Sequence, residues 1–160
     1  MMSNYAIYHT PLGNIQIEYS DLVVLAVRFC VEDTSQMCDN IPSPLTDCAI
    51  EQIIEYMEGR RTQFTFEWAL RGTEFQMRVW RALCDIPYGE RRTYKDIATA
   101  IGSPKASRAV GAACNHNPML IVVPCHRVVG FSGRMVGYAG GVAVKEQLLN
   151  MESAICLSAL

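Results

Sequence analysis

At Leu70-Arg71-Gly72 the hydrophobic pattern of this 160-residue chain changes from the alternation of a strand to the repeat of a helix, and that change dictates a two-part fold. Half of the residues are apolar, enough for one good core or for two small ones sharing an interface. Before the change the chain reads as α/β. Tyr5-Ala6-Ile7-Tyr8 leads through Pro11-Leu12-Gly13-Asn14, a turn composition, into the alternating Ile15-Gln16-Ile17-Glu18-Tyr19. Residues 22–29 read as a more buried third strand. Ser43-Pro44 offers a cap and a proline at the first helical position, Ile50, Ile53, Ile54 and Met57 form one helical stripe, and Gly59 stops it. Residues 62–68, with Phe64, Phe66 and Trp68 alternating, predict one more strand.

After the change, Thr73 and Gln76 make a capping box ahead of an apolar face of Phe75, Val79, Trp80 and Leu83 that runs to Ile86, where Pro87-Tyr88-Gly89 ends the helix. Thr93 and Asp96 repeat the device for a short helix to Ile101. Gly102-Ser103-Pro104 then turns the chain into a further helix from Lys105 to about Asn115. A short helix, a glycine-containing turn and a second helix is the helix-turn-helix order. The second helix is made of small residues with two cations, Lys105 and Arg108, so its backbone can approach a nucleic-acid backbone. Charge agrees with that. Residues 1–69 hold 3 basic and 10 acidic side chains, net −7, and residues 70–160 hold 11 basic and 6 acidic, net +5, so a basic half can meet phosphates while an acidic half faces away.

Val122-Val123-Pro124-Cys125-His126-Arg127-Val128-Val129 places a thiol, an imidazole and a guanidinium side by side in an apolar run. A base and a fixed cation would both favour a thiolate, so Cys125 reads as a nucleophile. Neighbouring side chains of an extended segment point to opposite faces, so His126 reaches the thiol only if the chain turns or a water joins the two. The seven cysteines are an odd set without short paired spacing, which speaks against a disulfide framework and against a zinc site built on His9, Cys30, Cys38 and Cys48. No metal and no cofactor are expected. No apolar run is long enough for a membrane span and the first residues lack the order of a secretory signal, so the expected location is cytoplasmic, with the nucleus as well in a eukaryote.

Pro-Cys-His-Arg-Val, preceded by Asn117-Pro118 and followed by Gly137-Tyr138-Ala139-Gly140-Gly141, resembles the active-site signature of the alkylguanine-DNA alkyltransferases, the methylated-DNA-protein-cysteine methyltransferases. The likeness runs over residues 72–152, and residues 1–71 match loosely. It implies an α/β N-terminal domain over residues 1–70, a small antiparallel sheet with a helix and a structural role. A mainly α C-terminal domain of winged helix-turn-helix type follows over residues 71–160. It further implies a Cys125, water, His126, Glu152 relay, with Tyr94 and Lys145 also in the catalytic set. Arg108 would fill the space left by an extruded base, and Tyr94 would crowd the target phosphate and later meet the guanine ring. Lys95, Ser103 and Ser107 would join these two on DNA, and Asn117, Val136, Tyr138 and Ala139 would form the substrate pocket.

The activity so implied is single-turnover transfer of a methyl or larger alkyl group from O6 of guanine, and of O4 of thymine, in double-stranded DNA to Cys125, by a monomer. Three competing readings remain at this point: a non-repairing binder of alkylated DNA, which would carry another residue in place of Cys125, a cysteine hydrolase, and a DNA-binding regulator.

Overall fold

A computed structural model of the chain describes residues 3–30 and 40–158, and divides into two compact units, Met1–Arg71 and Gly72–Leu160. Cys38 lies outside the described residues.

In the first unit, β1 (Asn4–Thr10), β2 (Gly13–Tyr19) and β3 (Val24–Cys30) form an antiparallel sheet in the order β1-β2-β3. Its register pairs Ala6 with Ile17 and Ile17 with Val27, so one face of the sheet carries Ala6, Ile15, Ile17 and Val27, all fully buried. Helix α1 (Pro44–Met57) starts at Ser43, whose hydroxyl accepts from Thr46 N while Thr46 Oγ1 accepts from Ser43 N. It buries Ala49, Ile50, Ile53 and Tyr56, whereas Ile54 and Met57 are half-buried, so the stripe is turned toward Tyr56 relative to the sequence reading.

The strand expected over residues 62–68 is not formed. The alternation is real, with Phe66 buried between exposed Thr65 and Glu67, but only Trp68 bridges to β3, at Val24. The reason lies on another element. Gln52 of α1 accepts from Thr65 N and donates to Thr65 Oγ1, both at 2.8 Å, so a side chain serves this backbone in place of a ladder.

The second unit is helical. Helix α2 (Glu74–Cys84) opens with the Thr73–Gln76 capping box and buries Val79, Trp80 and Leu83. Residue 72 has to be glycine, because a Cβ there would lie 2.5 Å from Trp80 Cζ3. Trp80 donates to Ala113 O at 2.8 Å and so fastens α2 to α4 (Ser107–Asn115). Helix α3 (Tyr94–Ala100) is capped by Thr93 with Asp96, and residues 101–106 turn the chain into α4. Helix α4 starts two residues later than the composition suggested, because Ser103-Pro104-Lys105-Ala106 closes a turn, with Ala106 N bonded to Ser103 O. A two-residue parallel pair, β4 (Arg92–Thr93) with β5 (Val128–Val129), joins the entry of α3 to the segment after Cys125. The last element among the described residues is α5 (Val142–Ser158), which buries Lys145, Leu148, Leu149 and Glu152. None of the helices among the described residues is long and apolar enough to cross a membrane.

Candidate active site

The nucleophile candidate sits at the start of a single 3₁₀ turn, Cys125–Arg127, and is 3% exposed. The backbone that delivers it is strained. Ile121 has φ of 74°, outside the ordinary range of a β-branched residue, and costs of order 1–3 kcal/mol. Val123 N to Met119 O and Asn117 Nδ2 to Val123 O, both 2.9 Å, hold this tight loop. The same Asn117 amide donates to Cys125 Sγ at 3.2 Å, so one side chain fixes both the loop and the thiol.

The chain turns at Cys125, and His126 packs inward, fully buried. His126 Nε2 donates to Glu152 Oε1 at 2.9 Å, which makes Nδ1 the basic nitrogen of the neutral ring. Burial holds the imidazole pKa below its usual value, against the opposing pull of Glu152, so the ring is neutral near pH 7 and able to take a proton.

Glu152 is the centre of the network and is 0% exposed. It accepts from His126, from Arg127 Nε at 2.9 and 3.1 Å, from Arg127 Nη2 at 2.8 Å and from Gly89 N at 3.3 Å. Arg127 Nη1 continues to Ile86 O at 2.8 Å, and the guanidinium carbon lies 5.5 Å from the Tyr88 ring centroid. This corrects the reading of Arg127 as a direct stabiliser of the thiolate: its charge is spent on Glu152. The groups that favour the ionised sulfur are Asn117, Lys145 and the Cys125 backbone N–H, and they are outweighed by burial, which pushes the Cys125 thiol from an ordinary 9.0 up to about 11. The resting site therefore holds a thiol, and the proton has to be removed in the reaction.

Lys145, 1% exposed, donates to Val136 O at 3.0 Å and Gly137 O at 3.3 Å, and its Nζ lies 5.9 Å from the Tyr94 ring centroid. Tyr94 donates to the same Val136 carbonyl at 3.2 Å. Burial raises the Tyr94 pKa to about 12, so its hydroxyl keeps its hydrogen at any working pH. Tyr94, Ser107, Arg108, Gly111, Asn115, Val136 and Gly137 line a cavity of about 310 Å³. The fold thus brings Tyr94, Ser107, Arg108 and Val136 to one place. The Tyr138 hydroxyl is buried with no hydrogen-bond partner among the described residues, and Ala139 is exposed beside it.

Lys95 and Ser103 are elsewhere. Lys95 lines a separate groove of about 780 Å³ with Arg91, Arg92 and Asp96, and Ser103 lies in the turn between α3 and α4.

Two participants escaped the sequence reading. The Gly89 amide and the Ile86 carbonyl, both in the stretch after α2, hold Glu152 and Arg127. Backbone groups carry no residue-type signal, although the turn Pro87-Tyr88-Gly89 marked the place. Cys114, buried on α4, has its pKa raised to about 12, by burial first and then by Cys125.

A family model described as 6-O-methylguanine DNA methyltransferase, DNA binding domain, matches residues 74–154, and one described as 6-O-methylguanine DNA methyltransferase, ribonuclease-like domain, matches residues 4–70. The chain belongs to this methyltransferase family. The second match extends the likeness over the first unit, where sequence motifs alone gave only a loose one. A methylated-DNA--protein-cysteine methyltransferase of Mycobacterium tuberculosis is 54% identical over 156 residues, covering 96% of this chain and 94% of the relative. One of Methanosarcina acetivorans is 43% identical over 155 residues, covering 94% and 98%. Among solved structures, Mycobacterium tuberculosis OGT in complex with DNA superposes with a TM-score of 0.85 at 44% identity, covering 95% of this chain and 94% of that one. The methyltransferase fold is therefore shared over nearly the full length, and the thiol, imidazole, carboxylate and guanidinium described above lie within the matched DNA-binding domain.

Proposed function

We propose that this chain repairs alkylated duplex DNA by moving a methyl or larger alkyl group from O6 of guanine, and from O4 of thymine, to Cys125, once per molecule. The observation that carries the reading is the single 3₁₀ turn that presents Cys125 beside Asn117 and seats His126 on the Glu152–Arg127 pair. The Cys125 proton passes through a water to His126 Nδ1, and Glu152 stabilises the imidazolium that results. The thiolate attacks the alkyl carbon, the S–C bond forms as the C–O6 bond breaks, and guanine leaves as its anion. The Tyr94 hydroxyl turns from Val136 O to donate to a ring nitrogen of that anion. The product is a thioether with no good leaving group, so turnover stops at one.

The modified oxygen is hidden inside a duplex, so the base has to leave the stack. Arg108, exposed on α4 at the wall of the 310 Å³ cavity, fills the space. Tyr94, Lys95, Ser103 and Ser107 meet the backbone, and Asn117, Val136, Tyr138 and Ala139 shape the pocket. The first unit serves as a structural domain, and the protein works as a monomer in the cytoplasm. A hydrolase needs a scissile acyl-enzyme and an oxyanion hole, and turnover on a thioester substrate would favour that reading.

The test is mass spectrometry after mixing with one equivalent of duplex containing O6-methylguanine. One methyl on Cys125 and none on the other cysteines is expected. A methyl on Cys114, or turnover beyond one equivalent, would overturn the assignment.

Arg108→Ala is expected to slow transfer from duplex at least tenfold while leaving transfer from free O6-benzylguanine within about twofold, because only the duplex carries an unstacking cost of a few kcal/mol. Equal losses on both substrates would make Arg108 a folding or pocket-shape residue.

A further inference from the structure

Phe131 is 90% exposed, more than any other large apolar side chain among the described residues. It does not sit on a loose segment. Gly130 N donates to Arg134 O at 2.7 Å, Gly133 N to Gly130 O at 3.1 Å, and Arg134 N to Phe131 O at 3.4 Å, which closes residues 130–134 into a tight loop. Ser132 at φ of 61° and Gly133 at φ of 78° set its shape, and the exposed Arg134 lies three residues from the ring.

The base of the loop is anchored to the pocket. A Cβ on Gly130 would meet Val136 Cγ2 at 3.0 Å, so the loop rests on Val136, and the Val136 carbonyl is held by both Tyr94 and Lys145. Val136 shares the wall of the 310 Å³ cavity with Arg108. An exposed aromatic ring and a guanidinium are thus held by backbone hydrogen bonds at the edge of the cavity proposed to take an extruded base. Water is a poor environment for the ring, and the fold spends ordered structure to keep it there.

We propose that Phe131 stacks on a nucleobase of the bound DNA next to the emptied position, with Arg134 on the neighbouring phosphate. The inference rests on the repair reading above. Rotation of guanine out of the duplex uncovers the π faces of two adjacent bases, one on each side of the gap that Arg108 enters, and an aromatic side chain is a group that covers such a face regardless of sequence. The adjacent Arg134 supplies the charge that a polyanion requires and a protein-binding apolar patch does not.

The test is equilibrium binding at fixed salt, in a Cys125→Ser background so that no transfer intervenes, to duplexes with and without one O6-methylguanine. Phe131→Ala and Phe131→Leu should both weaken binding to the methylated duplex roughly five- to tenfold, and Phe131→Trp should retain it, with its fluorescence quenched on binding. With Cys125 restored, both weakened variants should react with free O6-benzylguanine within about twofold of the parent. Unchanged duplex affinity in Phe131→Ala, full retention in Phe131→Leu, or an equal loss on the free base would each overturn the stacking role. So would a concentration-dependent dimer of the free parent, seen by sedimentation velocity and lost in Phe131→Ala, since that places a second copy on the ring. Failure of the repair reading is distinguishable, because it would appear as no methyl on Cys125 in the parent whatever the binding arms report.

Discussion

Glu152→Ala is expected to lower folding stability by about 3–5 kcal/mol, a large part of what a domain of this size has, because it leaves the Arg127 guanidinium buried without its partner. Denaturant midpoints at constant slope measure it. Glu152→Gln keeps the shape and some of the hydrogen bonds and should fold better, yet it removes the negative charge that stabilises a protonated His126. Its signature is in the pH profile of transfer from free O6-benzylguanine. In the parent, the thiol proton moves internally to an imidazole that is neutral near pH 7, so the rate should be nearly flat from about pH 7 to 9. In Glu152→Gln, as in His126→Ala, the reaction depends on the spontaneously ionised thiol, and the rate should climb about tenfold per pH unit toward the thiol pKa of about 11. Affinity for methylated duplex should change little. Tyr94→Ala should instead weaken both binding and transfer. The pair Arg127→Met with Glu152→Leu separates folding from chemistry: it should recover most of the stability and none of the flat profile. A flat profile in Glu152→Gln would sink the relay.

Cys125→Ser is expected to bind methylated duplex and to transfer nothing, and it should also change how stability depends on pH. The folded-state pKa of the thiol is raised, from an ordinary 9.0 to about 11, so the folded form holds its proton more tightly than the unfolded one. Above pH 9 the unfolded chain loses that proton first. The stabilising contribution is therefore complete below about pH 9 and is lost as pH rises through 11, to a total of about 3 kcal/mol. Parent stability should fall across that window. Cys125→Ser, and the parent after alkylation, should fall less, with a residual slope from Cys114, whose pKa is raised to about 12. Parallel stability curves for parent and Cys125→Ser between pH 8 and 11 would show that burial does not act on this thiol as described.

Much of the second unit could be read in advance because its signals are local. Thr73 with Gln76 and Thr93 with Asp96 are capping boxes that need only four consecutive residues, and both are formed. The three strands of the first unit were legible from the alternation of residues 15–19 and the apolar run of residues 22–29, and their antiparallel order follows from short turns. Residues 62–68 failed for a non-local reason: whether an alternating segment joins a ladder depends on what else offers its backbone hydrogen bonds, and here Gln52, on a different element, does so. Arg127 failed similarly. Its adjacency to Cys125 suggested a shared task, but a 3₁₀ turn rotates successive side chains apart, and the carboxylate that claims Arg127 is 25 residues away on α5. The position of His126 was left open for the same reason, and only the turn itself decides it.

The two-residue pair of β4 and β5 has a geometric consequence for how such a protein can vary. Thr93 is at once the cap of α3 and the ladder partner of Val129, so the entrance to the helix-turn-helix and the exit of the cysteine turn share one hydrogen-bonded rung. The placement of the α3–α4 pair and the placement of the cysteine turn are then a single setting rather than two. Residues 130–141 lie outside this rung but not outside the site, since the Val136 and Gly137 carbonyls accept from Tyr94 and Lys145. A substitution that loosened the rung would shift the α3 entrance and the cysteine turn together.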